Sequence, residues 1–162
     1  MKKMLLFIAV LVVAMLSACS RTETTPTLAE IIENVNNAET LYEAANLALL
    51  DTMRPNVRSI VGNDNTGIVI INVNHTGSFM PRETMIRNAG MVVGRLQERN
   101  DIESIDIHWH MMLVNARGDE FDTRVMRLEF DRPSLRRVDF NSLLSDQALA
   151  YADRYFIHNV LQ

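Results

Sequence analysis

Hydrophobic residues recur every three or four positions in three segments of the chain, and this spacing predicts amphipathic helices. The segments are residues 28–49, 82–99 and 141–161. In the first, the apolar stripe consists of Leu28, Ile31, Val35, Ala38, Tyr42, Ala45 and Leu49. In the second, it consists of Met85, Ile86, Ala89, Val92, Val93 and Leu96. Each stripe predicts one helix side that packs on the rest of a domain.

The first helical segment carries two further signals. Thr27 and Glu30 fit a capping box at its start, and Asn36 and Asn37 are weak helix formers that could divide it in two. A stripe of this kind is typical of a helix packed on its own domain. The alternative is a coiled-coil seam between copies of the chain, which stays open at this point.

Four other segments predict strands that pair as two β-hairpins. Residues 57–61 and 67–74 flank a stretch rich in Gly, Asn and Asp, which is typical of a turn. Residues 102–114 alternate between apolar and polar, and a second turn leads into a partner strand at residues 121–130. The run Ile68–Ile71 is apolar on both faces, so its strand should be central and covered on both sides.

These elements predict an α+β fold in the order α-β-β-α-β-β-α. Two hairpins separated by a helix imply a four-stranded antiparallel sheet with helices packed on one face. Trp109 lies on the apolar face of its strand, so we expect it in the core beneath the helix of residues 82–99. The opposite possibility is that Trp109 is an exposed binding residue and that the face of His108 and His110 is buried.

The N-terminus has a pattern of its own. Lys2 and Lys3 precede an uncharged, mostly apolar run, Met4–Ala18, which is shorter than the roughly 20 residues of a membrane-spanning helix. A basic start, a short apolar run and small residues at its end are typical of a cleavable export signal. Leu16-Ser17-Ala18-Cys19 resembles the lipobox of bacterial lipoprotein precursors. The alternative is an uncleaved anchor helix with an incidental cysteine.

The lipobox resemblance implies cleavage before Cys19 and a diacylglycerol thioether on its sulfur, with fatty acyl chains such as palmitate. Residues 1–18 are then the lipoprotein signal peptide, residues 19–27 the lipidated cysteine with a polar tether, and residues 28–162 a single α+β domain. Two acyl chains suffice for stable anchoring. We therefore expect the domain on the extracytoplasmic face of a cell membrane, in either a one- or a two-membrane envelope.

Charge limits the classes of partner that the chain could bind, and cysteine content limits how the fold could be stabilised. The chain has a formal charge of −4, which becomes about −6 when Lys2 and Lys3, its only lysines, are removed with the signal peptide. An acidic domain argues against sequence-independent nucleic-acid binding. Cys19 is the only cysteine, so no intramolecular disulfide can form and the core must supply the stability.

Candidate chemistry is sparse. His108 and His110 point the same way at strand spacing, and could share a metal if Asp106 or His75 completed the ligand set. The simpler interpretation is two ordinary histidines on a polar strand face. The chain has no GxSxG elbow, phosphate loop or dinucleotide glycine pattern. We therefore predict no enzyme activity and no cofactor.

The C-terminal third is rich in arginine and contains a second resemblance. The arginines of residues 124–137 alternate with acids, which predicts a mixed solvated surface, with an anion-binding patch as the lesser alternative; they are Arg124, Arg127, Arg132, Arg136 and Arg137. Residues 118–140 and 150–153 are similar to the C-terminal part of small uncharacterised surface lipoproteins of Gram-positive bacteria. That resemblance transfers no catalytic or binding residue.

Together these features predict a membrane-anchored binding module of the cell envelope. Its partner would be another envelope protein, a cell-wall component or a small ligand. The alternatives are an assembly subunit that oligomerises through residues 28–49, and an extracytoplasmic enzyme. A deep pocket with converging polar groups would favour an enzyme or small-ligand binder, whereas a flat face would favour a macromolecular partner.

Overall fold

A computed structural model describes residues 25–53, 56–74, 81–143 and 147–161. It confirms the predicted α+β class: a mixed five-stranded sheet packs against a layer of helices. The helices are α1 (Leu28–Asn37), α2 (Leu41–Ala48), α3 (Arg82–Leu96), α4 (Arg132–Arg137) and α5 (Ala148–Tyr151). The strands are β1 (Val57–Asn63), β2 (Ile68–Asn74), β3 (Ser104–Val114), β4 (Glu120–Asp131) and β5 (Arg154–Ile157). Short 3₁₀ turns occupy Phe140–Ser142 and Asn159–Leu161.

The first predicted helix forms as two. The capping box is present, with the Thr27 side chain accepting from the Glu30 backbone and Glu30 reaching back to the Thr27 N–H. The break follows Asn37, and Thr40 caps the second helix by accepting from the N–H of Glu43. Most of the stripe faces inward: Ile31, Val35, Ala45 and Leu49 are buried, together with Leu41, Ala44 and Ala48.

The sheet order is β1-β2-β3-β4-β5. Both predicted hairpins form, since β1 pairs antiparallel with β2 and β3 with β4. The fully antiparallel sheet was wrong, because β2 and β3 are parallel in the register Ile68↔Ser104 to Asn74↔His110. Helix α3 carries the chain back along the sheet, so β3 starts beside the start of β2. An all-antiparallel arrangement would need β1 or β4 between them.

The predicted C-terminal helix over residues 141–161 was also wrong. Among the described residues of this segment, only the four of α5 are α-helical, and the chain then extends into β5, which pairs antiparallel with β4. Tyr155, Phe156 and Ile157 have high strand propensity, and they satisfy backbone groups along one edge of β4. Pairing with β4 therefore outweighs the weak helical spacing of the sequence.

The core lies between the sheet and the helices, around Trp109. That side chain is 1% exposed, and its neighbours on the same face, Ile105 and Ile107, are fully buried, so the predicted core face is confirmed. Coverage of β2 on both faces was wrong: Ile70 is only half-buried and Ile68 is 37% exposed. The described helices cover one face of the sheet, and none of them lies on the other.

Two arginines near the end of α3 bind the ends of the first two helices. Arg99 Nη1 donates to the carbonyls of Val35 and Ala38 at 2.8 and 2.9 Å, where α1 ends. Arg95 Nη1 donates to the carbonyls of Ala48 (2.8 Å) and Leu50, where α2 ends. A cation at a helix C-terminus satisfies unpaired carbonyls and complements the helix dipole. These contacts fix the helix layer.

Candidate functional site

The face of the sheet on which no described helix packs, called here the open face, carries a connected set of polar side chains. Strand alternation puts them there, because the apolar residues of each strand point into the core. The set, called here the polar network, consists of Ser59, Asn72, Asp106, His108, His110, Asp122, Arg127, Glu129 and Arg154. Its members come from all five strands.

Ion pairs form the half of the network over β3, β4 and β5. Arg127 binds Asp106 through two nitrogens, Nε to Oδ1 at 2.9 Å and Nη2 to Oδ2 at 2.7 Å. The same Nη2 donates to Glu129 at 2.7 Å, and Arg154 reaches the other oxygen of Glu129 at 2.5 Å. Asp106 and Glu129 are each only 7% exposed. A buried carboxylate is tolerated when it is paired in this way.

The pKa values follow from these contacts. Burial by itself would raise the pKa of Asp106, but contact with His108 and Arg127 and their charges outweigh it, so this pKa lies below its ordinary value. The hydrogen bond to Asp106 raises the pKa of Arg127, against the smaller effect of burial. The pair is therefore ionised at neutral pH and fixes the position of both side chains.

The histidines form the other half, over β2 and β3. One ring nitrogen of each faces the same amide oxygen: His108 Nδ1 is 3.2 Å and His110 Nε2 is 3.3 Å from Asn72 Oδ1. Asn72 Nδ2 in turn donates to Ser59 Oγ at 3.0 Å. The two imidazole centroids are 6.4 Å apart.

The other ring nitrogen of each histidine faces a carboxylate. His108 Nε2 is 2.9 Å from Asp106 Oδ1, an ion-pair distance, although no partner in the described part of the chain meets hydrogen-bond geometry at this nitrogen. His110 Nδ1 is 3.8 Å from Asp122 Oδ1. Burial is the main cause that lowers the pKa of His110; the charge of Asp122 opposes it, while Arg58, His108 and Arg124 add to it.

The structure thus places both sequence-predicted histidines side by side on the open face. Asp106 lies next to His108 but is bound by Arg127, and His75 lies outside the described residues. Within the described ranges, no group of three or more His, Cys, Asp or Glu side chains is arranged to hold a metal ion. Sequence reasoning missed Asn72, whose polar side chain interrupts the apolar strand β2 on the face that proves to be open.

Exposed apolar side chains surround the network. Val61, Met112 and Phe156 are 51, 56 and 44% exposed, and all lie on the open face, as does Ile68. A separate cavity of about 150 Å³ lies on the helical side, between α3 and the side chains of Phe140, Asn141, Leu143 and Ala148. A cavity of that size holds a molecule no larger than benzene. The open face is therefore a broad surface in which apolar and fixed polar groups alternate.

No protein-family model, curated protein or solved structure matches the chain. The resemblances around Cys19 and in the C-terminal segment therefore stay predictions, and the predicted signal peptide lies outside the described residues. Among the described helices, none has the length and apolar character needed to cross a membrane.

Proposed function

We propose that this chain is a lipid-anchored protein of the cell envelope whose domain binds a macromolecular partner through the open face of its sheet, without catalysis. The partner is an envelope protein or a cell-wall component. The lipobox at Leu16–Cys19 supports the anchor. The open face supports the binding role.

The polar network is the observation that carries the proposal. Its donors and acceptors are held by one another across five strands, so a partner meets them already ordered. Binding to ordered side chains costs less conformational entropy than binding to mobile ones. The apolar rim formed by Val61, Ile68, Met112 and Phe156 adds area that a partner would remove from water.

The anchor and the fold fit each other. Helix α1 begins at Leu28, so the predicted tether of residues 19–27 reaches only about 15 Å as a flexible chain. The domain would stay close to the membrane, which raises its effective concentration for partners there. At this higher effective concentration, a face that binds weakly is enough to hold a partner.

The alternative of assembly through residues 28–49 has less support. Burial of Ile31, Val35, Ala45 and Leu49 in the domain core uses the apolar residues that a seam between copies would need. Tyr42, at 55% exposed, is left on the outer side of α2.

Lipidation is tested by labelling cells with an alkyne fatty acid. The native chain should take up label and migrate as the processed form, whereas Cys19→Ala should remain an unlabelled precursor. Met15→Ala is the matched control, because it lies before the lipobox residues and should be labelled normally. Equal label on Cys19→Ala would contradict the anchor.

The binding face is tested by photo-crosslinking in cells. A photoreactive residue at Met112 or Phe156 should give discrete crosslinked products, whereas the same residue at Tyr42, on the opposite side of the domain, should not. Arg127→Gln, which breaks the network, should weaken the products from Phe156. Products from Tyr42 alone, or no products from either open-face position, would contradict this assignment.

A further inference from the structure

The cavity on the helical side combines an apolar lining with two positive charges. Its apolar lining consists of Leu28, Gly90, Met91, Phe140, Leu143 and Ala148. Arg87, Arg95 and Asn141 complete the described lining, in which no residue is acidic. The chain as a whole carries more acidic than basic residues. The described charges of this cavity are therefore opposite in sign to the net charge of the chain.

Arg95 is the buried charged residue of this cavity. It is 4% exposed, and its Nη1 nitrogen donates to the carbonyls at the end of α2. Nε is buried without a hydrogen-bond partner in the described part of the chain, and Nη2 makes no hydrogen bond there either but keeps contact with solvent. Burial lowers the pKa of Arg95, and the charge of Asp51 only partly opposes this effect. The edge of the guanidinium formed by Nε and Nη2 therefore has unused donors.

Two other arginines of the chain use the same edge to bind a carboxylate. Arg127 presents Nε and Nη2 to the two oxygens of Asp106. Arg99 does the same to Asp101. Arg95 has no carboxylate within ion-pair distance among the described residues. A carboxylate is the partner that this planar pair of donors fits, because its two oxygens accept both N–H groups at once.

Gly90 leaves room beside this arginine. It lies within α3, where a glycine weakens the helix. Outside its own helix, a Cβ atom at this position would have only the Ala148 Cβ within 4 Å among the described residues, at 3.1 Å. Gly94, one turn later, differs, because a Cβ atom there would collide with the side chain and backbone of Asn141. Close packing therefore accounts for Gly94, whereas Gly90 keeps the cavity open.

We propose that this cavity binds a small organic carboxylate. Arg95 receives the carboxylate group through its unused edge, and the exposed Arg87 adds positive potential at the rim. The apolar part of the ligand fills the space beside Leu28, Met91 and Phe140. A volume of about 150 Å³ admits a molecule of about six non-hydrogen atoms, such as benzene, and butyrate has this size. The site lies on the helical side, so it is independent of the open face and of the lipid anchor.

The two parts of the ligand are tested with matched small molecules. Butyrate is titrated at pH 7 into the full chain in non-ionic detergent, and saturation-transfer NMR is read against empty micelles. It should bind saturably, with a dissociation constant on the order of 1 mM. Butyramide, which lacks the charge, should bind at least about 10-fold more weakly. Acetate, which lacks two methylenes, should also bind about 10-fold more weakly.

Two substitutions test the two sides of the site. Arg95→Lys keeps the charge and removes the edge formed by Nε and Nη2, so butyrate should bind at least about 10-fold more weakly. Arg136→Lys, at an exposed position away from the cavity, is the matched control and should bind as the native chain does. Gly90→Ala keeps Arg95 and adds a methyl group to the cavity wall. It should reverse the preference, so that propionate binds more tightly than butyrate.

The unfolding midpoint of each variant shows whether it is folded. Gly90→Ala keeps the proposal testable if Arg95→Lys does not fold, because a changed preference for chain length does not follow from lower stability. Equal binding of butyrate and butyramide, native affinity in folded Arg95→Lys, or native preference in folded Gly90→Ala would each overturn the inference. Absence of saturable butyrate binding below about 20 mM would overturn it as well.

Discussion

At the scale of single residues, the core is centred on Trp109. It pairs with Val73 on one side and Met126 on the other, in the middle strand of the sheet. Its indole Nε1 is buried and has no hydrogen-bond partner in the described part of the chain. The ring is therefore held by apolar contacts alone, and its N–H detracts from stability.

Trp109→Ala should lower the free energy of unfolding by about 3–5 kcal/mol, because it removes the largest buried side chain and leaves a cavity. Trp109→Phe should cost clearly less, since it also removes the unpaired N–H. Urea unfolding followed by far-UV circular dichroism measures both. Native fluorescence should be blue-shifted and resist iodide quenching. A Trp109→Ala variant within 1 kcal/mol of the native chain would contradict the core position.

Asp106 gives the domain a pH dependence. Its folded pKa is below the unfolded value, so its contribution to stability is present above the unfolded pKa of about 3.9 and is lost as pH falls through the folded pKa. Asp106→Asn should therefore flatten the loss of stability as the pH falls below about 5. Glu120→Gln, at an exposed strand end, is the control and should follow the native profile. Parallel profiles for Asp106→Asn and the native chain would count against an ionised pair.

At the scale of elements, arginines in and just after the last turn of α3 connect this helix to α1 and α2. Arg99 is 8% exposed in its side chain and contacts the end of α1 as well as Asp101, whose carboxylate it binds through Nε at 2.9 Å. Loss of Arg99 would leave the carbonyls of Val35 and Ala38 without this donor. The angle between α1 and α3 depends on these bonds.

Arg99→Met keeps most of the aliphatic side chain and removes the charge and its donors. It should lower the free energy of unfolding by about 2–4 kcal/mol, the range for losing buried hydrogen bonds to a charged group. Arg87→Met, at an exposed position of α3, should change it by less than about 0.5 kcal/mol. Denaturant titration compares the two, and equal effects would show that the Arg99 contacts contribute little.

Local pattern was enough to predict some elements and not others. The hairpins and α3 could be predicted because alternation and helical spacing depend only on residues that are close together in the sequence. The parallel pairing of β2 with β3 does not, because it depends on which strands are adjacent in space. Residues 154–157 carry both helical spacing and strand propensity, and only the free edge of β4 selects the strand.

The candidate site shows the same limit. Alternation along β3 was enough to place His108 and His110 on one face. Their carbonyl partner, Asn72, is 36 positions from His108 in the chain and meets it only through the β2–β3 register. The Asp106–Arg127 pair likewise depends on the register of β3 with β4. Such contacts between distant segments cannot be read from periodicity.

At the scale of the whole molecule, the described core begins with the first turns of α1. Ile31 is the first buried residue, and Thr27 with Glu30 closes the start of that helix. The packing therefore uses nothing before Thr27 among the described residues. The predicted domain boundary at residue 28 therefore lies next to a structural feature, because the cap residue Thr27 is just outside it.

A chain that starts at residue 25 should fold cooperatively without detergent, with sharp near-UV dichroism. A chain that starts at residue 29 loses Thr27, so α1 begins without its capping box, and its free energy of unfolding should fall by about 1 kcal/mol. Thr27→Ala in the longer chain should reproduce that loss, which separates the cap from other effects of length. Thr25→Ala is its control and should be neutral. A broad transition without near-UV signal for the chain from residue 25 would mean that the preceding residues belong to the fold.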